Sequence, residues 1–172
     1  MFMRTHAEGV VILPIFSQGG NLKVFMSPGH DQENGGKIDY VHNFSDKPQN
    51  VIGMELWGGL VNSGEDLIVR AVLEWKEEGG PEINNLPDRL RPIDGCVVMD
   101  HDRPSGSYEV AVTCFALELA DMEVKDFVGL GLEAIDLSPG RIFNGGTDHM
   151  REREAAILTF FAQGQLSLAD RW

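Results

Sequence analysis

Two apolar, β-rich runs near the start of the chain flank a short polar turn. GVVILPIF at 9–16 and LKVFMSPG at 22–29 lie on either side of SQGGN at 17–21. Apolar runs rich in β-branched and aromatic residues, joined by a glycine-containing turn, are typical of a β-hairpin. The pattern therefore predicts two strands here, followed by a long polar surface loop at 30–50.

An amphipathic helix is the next predicted element, from about residue 65 to residue 78. Ser63 with Asp66 three residues later resembles a capping box, and Gly79-Gly80-Pro81 is a stop signal. At about 100° per residue, five apolar residues fall within one arc of about 140°, which is predicted to face the core. They are Leu67, Ile68, Ala71, Val72 and Trp75.

Two longer strands are predicted in the second half of the chain. CVVMDHD at 96–102 and YEVAVTCFALEL at 108–119 are apolar runs around the turn RPSGS at 103–107. The segment at 81–95 contains three prolines and is predicted to be an irregular connection.

Three shorter segments complete the pattern. VKDFV at 124–128 predicts a short strand, LEAIDL at 132–137 the start of a short helix, and MREREAAILTFFAQ at 150–163 a C-terminal helix that packs on the sheet. Strands, a helix, strands and a helix in this order favour an α/β or α+β sandwich with a mixed sheet. We expect a single domain over residues 1–172, because the sequence shows no repeat or linker.

Composition narrows the functional classes. The chain has 172 residues, of which 42% are hydrophobic, enough for one domain with a proper core. Its formal charge of −13 argues against broad phosphate neutralisation on DNA or RNA, which needs a basic surface. A small phosphorylated substrate stays compatible with this charge if divalent metal ions supply positive charge locally.

The cysteines and the apolar runs indicate the compartment. Cys96 and Cys114 have no CxxC spacing, so they are expected to be reduced core thiols. No apolar run approaches the roughly 20 residues of a membrane span, and the N-terminus lacks a signal-peptide pattern. The protein is therefore expected to be soluble and cytoplasmic.

Three carboxylates lie beside the apolar stripe of the predicted helix. Glu74 and Glu78 are four residues apart and Glu77 is three from Glu74, so they occupy an arc of about 100°. Like charges at these spacings repel by about 0.2–0.5 kcal/mol per pair. One interpretation is a solvated helix face. The other is a metal–phosphate site, since oxygen ligands one turn apart suit Mg²⁺ or Mn²⁺.

The segment at 59–81 resembles the signature of the Nudix hydrolase family. That signature reads Gly, five residues, Glu, seven residues, Arg-Glu, an apolar residue, one residue, Glu-Glu, one residue, Gly and an aliphatic residue. Six fixed positions match in register: Gly59, Glu65, Glu74, Glu77, Glu78 and Gly80. The flanking run MELWGGLVNSGED at 54–66 is similar to the one that enters the signature in ADP-ribose pyrophosphatase-type members.

This resemblance implies a Nudix-type α/β/α sandwich with a central mixed sheet. It implies hydrolysis of a nucleoside diphosphate linked to another moiety, with an ADP-ribose-like or nucleotide-sugar substrate and a nucleoside monophosphate as one product. It implies Mg²⁺ or Mn²⁺ held by Glu74, Glu78 and the backbone carbonyl of Gly58, with Glu77 assisting or orienting them. Related enzymes are often dimers, and the apolar hairpin at 96–119 is a candidate dimer contact.

Two positions depart from the signature. Leu73 stands where an arginine is expected, and Pro81 where an aliphatic residue is expected. The family's arginine pairs with other signature carboxylates, which a leucine cannot do. Arg70 is a candidate substitute, because it lies one turn before Glu74 and about 40° from it on the wheel. The alternative is that Arg70 is a solvent-exposed charge.

The missing arginine keeps other functions open. A second hypothesis is a catalytically weak or inactive Nudix-fold protein that binds a nucleotide. A third is that the helix is purely structural and that the protein has no phosphate chemistry.

Members of the family commonly use a further carboxylate from outside the signature. The acidic segment ADMEVKD at 120–126 lies where ADP-ribose-type enzymes place this group. Glu123 is therefore the first candidate for the catalytic base, with Asp121 and Glu133 behind it. The alternative for each is an ordinary surface carboxylate.

Overall fold

The computed structural model describes residues 5–28, 54–103, 106–137, 152–162 and 167–168. Within these ranges the strands are β1 (Thr5–Gln18), β2 (Asn21–Pro28), β3 (Met54–Glu55), β4 (Trp57–Val61), β5 (Arg91–Arg103), β6 (Gly106–Glu118), β7 (Glu133–Asp136) and β8 (Ser167–Leu168). The helices are α1 (Leu67–Glu77), α2 (Leu86–Arg89), α3 (Asp121–Gly129) and α4 (Glu152–Ala162). The surface loop predicted at 30–50 lies outside the described residues.

The predicted N-terminal hairpin is present. β1 and β2 pair antiparallel from Ile15 opposite Val24 to Gln18 opposite Asn21. The turn between them is Gly19-Gly20, with φ angles of 60° and 82°. Glycine adopts this left-handed region at little steric cost, so the turn follows directly from the sequence.

The chain divides into two compact units, the first of which comprises residues 1–13, 57–117 and 166–172. In this unit, β4 pairs antiparallel with the first half of β1, and α1 packs against β4. β5 pairs antiparallel with β6 and, at Ile93 and Asp94, with β8. The single domain expected over 1–172 stays a prediction.

The second unit comprises residues 14–56 and 118–165. Here β2 pairs antiparallel with the second half of β1, with β3 and with β7. The buried ring of Phe25 on β2 contacts Phe16 and Phe127, at centroid distances of 4.9 and 5.0 Å. Because Phe127 belongs to α3, these rings pack that helix on the sheet.

The sheet is mixed, as predicted. β1 and β6 are neighbours in it. A Cβ on Gly9 would lie beside Val110 and Val112, and the N–H of Leu119 donates to the carbonyl of Ile15 at 2.9 Å. The two strands advance together, so they run parallel, whereas β1–β2, β1–β4, β2–β3, β2–β7, β5–β6 and β5–β8 pair antiparallel. Helices flank this sheet, which confirms the α/β class.

Helix α1 starts two residues later than the sequence predicts. Asp66, with extended backbone angles, is its N-cap, and its carboxylate accepts hydrogen bonds from the N–H groups of Ile68 and Val69 at 2.9 and 3.1 Å. The capping role assigned to Ser63 was therefore wrong. A carboxylate at the N-cap satisfies two otherwise unpaired helix donors and also faces the positive end of the helix dipole.

Two short segments have the opposite structure from the one predicted. The strand predicted at 124–128 is part of α3, which the contact between Phe127 and Phe25 fixes. The helix predicted to start at 132–137 is β7, which pairs with residues 23–26 of β2. Gly131, with a φ of 78°, ends the preceding turn and frees the chain to extend.

The connection predicted at 81–95 is only partly irregular. It contains the short helix α2, and β5 begins at Arg91, before the predicted start at Cys96. The pairing of β5 with β6 reaches back to Arg91 across an irregularity between Pro92 and Cys96. Cys114 is buried and outside any disulfide, as predicted, whereas the side chain of Cys96 lies outside the described part of the chain.

The predicted C-terminal helix is present as α4. Its buried residues include Ala155, Ile157 and Leu158 together with Glu154, whose Oε1 accepts a hydrogen bond from the N–H of Leu56 at 3.4 Å. Among the described residues, no helix is both long enough and apolar enough to cross a membrane.

Trp75 fixes the C-terminal end of α1. Its buried indole packs on Trp57 with the ring centroids 4.7 Å apart, and its Nε1 donates to the carbonyl of Pro81 at 2.8 Å. A Cβ on Gly80 would overlap the indole ring. One packing arrangement thus accounts for the residues at 75, 80 and 81, including the proline that departs from the signature.

We expect Gly80→Ala to destabilise the protein by about 1–3 kcal/mol, because the indole must shift to admit the added methyl group. Gly129→Ala is the matched control, since a Cβ there has no neighbour within 4 Å. Urea unfolding of the two variants measures the difference. Equal free energies of unfolding would contradict the proposed packing.

Candidate active site

Two neighbouring glycines of β4 leave room on opposite sides of this strand: Gly58 for the backbone of β1, and Gly59 for a side chain of α1. A Cβ on Gly58 would overlap the backbone carbonyl of Val10, and a Cβ on Gly59 would overlap the carboxylate of Glu74. The N–H of Gly58 donates to Oε2 of Glu78 at 3.2 Å. Glu74 and Glu78 are thus seated against consecutive residues of one strand.

The helical period explains why these carboxylates share one side. Residues four apart are neighbours on a helix surface. Trp75, the residue after Glu74, is buried in the core and fixes the rotation of α1, while Asp66 fixes where the helix begins. Glu77 is exposed, whereas Glu74 and Glu78 are half-buried. The structure therefore brings together Gly58, Glu74 and Glu78 and leaves Glu77 at the solvent side.

Arg70 joins the carboxylate of Glu74 to that of Glu65. Its Nε and Nη2 donate to the two oxygens of Glu65 at 2.6 and 2.7 Å, and its Nη1 donates to Oε1 of Glu74 at 3.4 Å. The side chain of Arg70 is only 14% exposed. Arg70 is therefore not the solvent-exposed charge of the alternative interpretation.

The pairing shifts the pKa values of both partners. The hydrogen bonds from Arg70 lower the pKa of Glu65, and the hydrogen bonds to Glu65 raise the pKa of Arg70. Both groups are therefore ionised at neutral pH, and the negative charge of Glu65 offsets the positive charge of Arg70.

The other candidate carboxylates lie in the second unit. Glu123 is on the first turn of α3, where its Oε1 accepts a hydrogen bond from the N–H of Ala120 at 2.9 Å. Asp121 is the exposed first residue of the same helix, and Glu133 is the exposed first residue of β7. The capping contact gives Glu123 a structural role that the sequence did not predict.

The donor set suits a metal ion that arrives with phosphate. Among the described residues, no three histidine, cysteine or acidic side chains converge to form a complete metal cage. Mg²⁺ usually takes one or two protein carboxylates and fills its octahedral shell with waters and substrate phosphates. Two carboxylates beside the backbone of Gly58 and Gly59 fit this mode of binding.

Known structures resemble this fold at low sequence identity. The Ap4A hydrolase of C. elegans superposes with a TM-score of 0.51 at 15% identity, covering 94% of this chain and 98% of that chain. NrtR of Shewanella oneidensis superposes with a TM-score of 0.55 at 12% identity, covering 92% of this chain and 63% of that chain. NrtR contains a NUDIX domain, which has been solved in complex with ADP-ribose.

These likenesses show that the chain has the Nudix fold, as the signature implies. The signature segment covers most of the strand β4, the turn after it and the helix α1. No protein-family model matches the sequence, and no curated protein matches it significantly.

Acid is expected to remove the contribution of the Glu65–Arg70 pair to stability. The pKa of folded Glu65 lies below its ordinary value of 4.5, so the unfolded chain binds the proton first as the pH falls. The contribution is thus fully present above about pH 4.5 and disappears as the pH falls through the lower, folded value.

Urea unfolding of wild type and Glu65→Gln between about pH 3 and pH 7 tests this sign. The difference in the free energy of unfolding should be largest near neutral pH and should shrink in acid. In an Arg70→Gln background the same substitution should show little pH dependence. A difference that is constant with pH would contradict the pairing.

Proposed function

We propose that this protein hydrolyses a nucleoside diphosphate linked to another moiety, in a reaction that depends on Mg²⁺ or Mn²⁺. The products are a nucleoside monophosphate and a phosphorylated remainder. The single observation that carries the proposal is the seating of Glu74 and Glu78 against Gly59 and Gly58 within a Nudix fold. An ADP-ribose-like compound or a nucleotide sugar is the proposed substrate.

The residues of the first unit would hold the metal. We assign Glu74, Glu78 and the carbonyl of Gly58 as ligands, with Glu77, on the next turn from Glu74, orienting them. When bound, the metal ion neutralises phosphate charge and activates water for attack on phosphorus. Glu123 is the proposed general base. The protein's own task is then to position the carboxylates and to accept a proton at Glu123.

The substrate class is supported by what the similar proteins bind. One similar structure is an Ap4A hydrolase, and the NUDIX domain of NrtR binds ADP-ribose. Both ligands contain an adenosine moiety joined to a chain of phosphates. A diphosphate-linked nucleoside is the chemistry that they share.

A second candidate function is nucleotide binding without turnover. Leu73 replaces the arginine of the signature, and NrtR offers the precedent of a Nudix-containing protein that binds ADP-ribose. NrtR has also been solved with a 27mer DNA, but the charge of −13 disfavours that partner here.

For either candidate function, we propose a small nucleotide as the ligand. We also propose that the protein is cytoplasmic and forms a homodimer.

Release of nucleoside monophosphate from a panel headed by ADP-ribose tests the main proposal. Dinucleotides, nucleotide sugars and nucleoside triphosphates complete the panel, each in Mg²⁺ and in Mn²⁺. Glu78→Gln should lower turnover at least about 100-fold, because loss of a metal ligand removes several kcal/mol of transition-state stabilisation. Glu82→Gln is the matched control, as Glu82 is an exposed glutamate of the same unit.

The outcomes of this panel separate the candidates. Metal-dependent turnover that disappears in Glu78→Gln supports the hydrolase and identifies its substrate class. Turnover that persists in Glu78→Gln removes that residue from the metal site. Nucleotide binding by folded wild-type protein without any turnover favours the second candidate function.

Glu123→Gln should lower turnover at least about tenfold if Glu123 is the general base. Glutamine keeps an oxygen that can accept the hydrogen bond from Ala120, so the cap and the stability of α3 should be retained. Steady-state turnover and thermal unfolding are measured together. Near-normal turnover would leave Glu123 with its capping role alone.

A further inference from the structure

The two carboxylates that Arg70 joins have different surroundings. Glu65 precedes α1, whereas Glu74 lies in the third turn of the helix. We infer that Arg70 is a positioning residue: anchored on Glu65, it holds the carboxylate of Glu74 where the proposed metal ion needs it. The purpose of this arrangement rests on the proposed function, but its geometry does not.

The anchor of Arg70 is rigid. The guanidinium meets both oxygens of Glu65 through Nε and Nη2, at 2.6 and 2.7 Å. A planar fork that binds a carboxylate through two parallel hydrogen bonds permits essentially one relative orientation. Glu65 is held in turn, because its Oε1 also accepts the N–H of Asn62 at 3.2 Å. Arg70 is therefore fixed to the backbone of the turn before α1.

From this anchor, Arg70 restricts the carboxylate of Glu74. Nη1 contacts Oε1 of Glu74 at 3.4 Å, and on the other side the carboxylate fills the space that Gly59 leaves open. The Glu74 side chain is 15% exposed. A carboxylate confined between a fixed cation and a strand has little rotational freedom left to lose when it binds an ion.

Leu73, which stands where the signature has arginine, cannot hold the carboxylate of Glu74 in this way. Leu73 carries no hydrogen-bond donor, and 38% of its surface is exposed. Arg70 reaches Glu74 from four residues earlier, which is the spacing of neighbours on one helix face. Arg70 thus contacts the signature carboxylates from a position one turn closer to the start of the helix than the arginine of the signature.

Positioning and simple electrostatics predict opposite signs for metal affinity. If Arg70 were only a nearby positive charge, it would repel a cation, and its removal would tighten metal binding. If it positions Glu74, its removal frees the carboxylate to turn away, and metal binding weakens. Groups that orient a metal ligand typically contribute about 10–100-fold in affinity.

Titration of the full-length protein with Mn²⁺ in the absence of nucleotide tests the inference, with free Mn²⁺ followed by electron paramagnetic resonance. Arg70→Gln should bind Mn²⁺ at least about tenfold more weakly than wild type. Arg70→Lys should show an intermediate loss, because lysine keeps the charge but not the fork. Lys76→Gln, which removes a positive charge from an exposed residue of the same helix, should bind as wild type does.

Unchanged or tighter Mn²⁺ binding by folded Arg70→Gln overturns the inference. If circular dichroism shows that Arg70→Gln does not fold, Arg70→Lys decides, and wild-type affinity in that variant overturns it. Glu65→Gln should reproduce the loss, and the double variant Glu65→Gln/Arg70→Gln should add nothing further. Fully additive losses would show that Arg70 does not act through its anchor.

The titration and the hydrolysis assay fail independently. Wild-type protein that binds Mn²⁺ but cleaves no nucleotide overturns the proposed function, while weaker Mn²⁺ binding by Arg70→Gln still supports the positioning role. Hydrolysis that is lost in Glu78→Gln supports the proposed function. If the Mn²⁺ affinity of Arg70→Gln is nevertheless unchanged, the positioning role is overturned. Wild-type protein that binds no Mn²⁺ without nucleotide overturns the positioning role, and the hydrolysis assay alone then decides the proposed function.

Discussion

The close approach of α1 to β4 is the constraint on which the candidate site depends. Gly59 lacks the Cβ atom that would overlap the carboxylate of Glu74 and hold the helix away from the strand. On the core side, Trp75 donates a buried hydrogen bond to Pro81. Rotation of the helix would leave that carbonyl unpaired, at a cost of about 1–3 kcal/mol. The packing that stabilises the first unit therefore also keeps Glu74 and Glu78 against the strand.

Local pattern predicted the elements that are long or bounded by clear turns. The β1–β2 hairpin, α1, the β5–β6 pair and α4 are present as expected. The failures at 124–128 and 132–137 concern short segments whose few apolar residues fit a helix or a strand equally well. Distant partners decide these two cases: Phe25 packs on α3, and the free edge of β2 accepts β7.

The candidate site was predictable in its residues but not in its connections. The signature indicated Glu74 and Glu78 as metal ligands, and helical spacing predicted that Arg70 lies beside Glu74. Glu65 as the main partner of Arg70 could not be read from a helical wheel, because Glu65 precedes the helix. The turn at Gly64, with a φ of 76°, and the cap at Asp66 bring it alongside the first turn.

The balance of charge along α1 argues against a purely structural helix. Glu65 already offsets the charge of Arg70, so Glu74 and Glu78 still repel each other by about 0.2–0.5 kcal/mol. Gly59 leaves room for the carboxylate of Glu74, although a glycine within a strand costs roughly 0.5–1 kcal/mol relative to alanine. Selection for stability alone would favour neither feature. Such local losses are typical of functional sites, and a cation bound between the two carboxylates would reverse the sign of the electrostatic one.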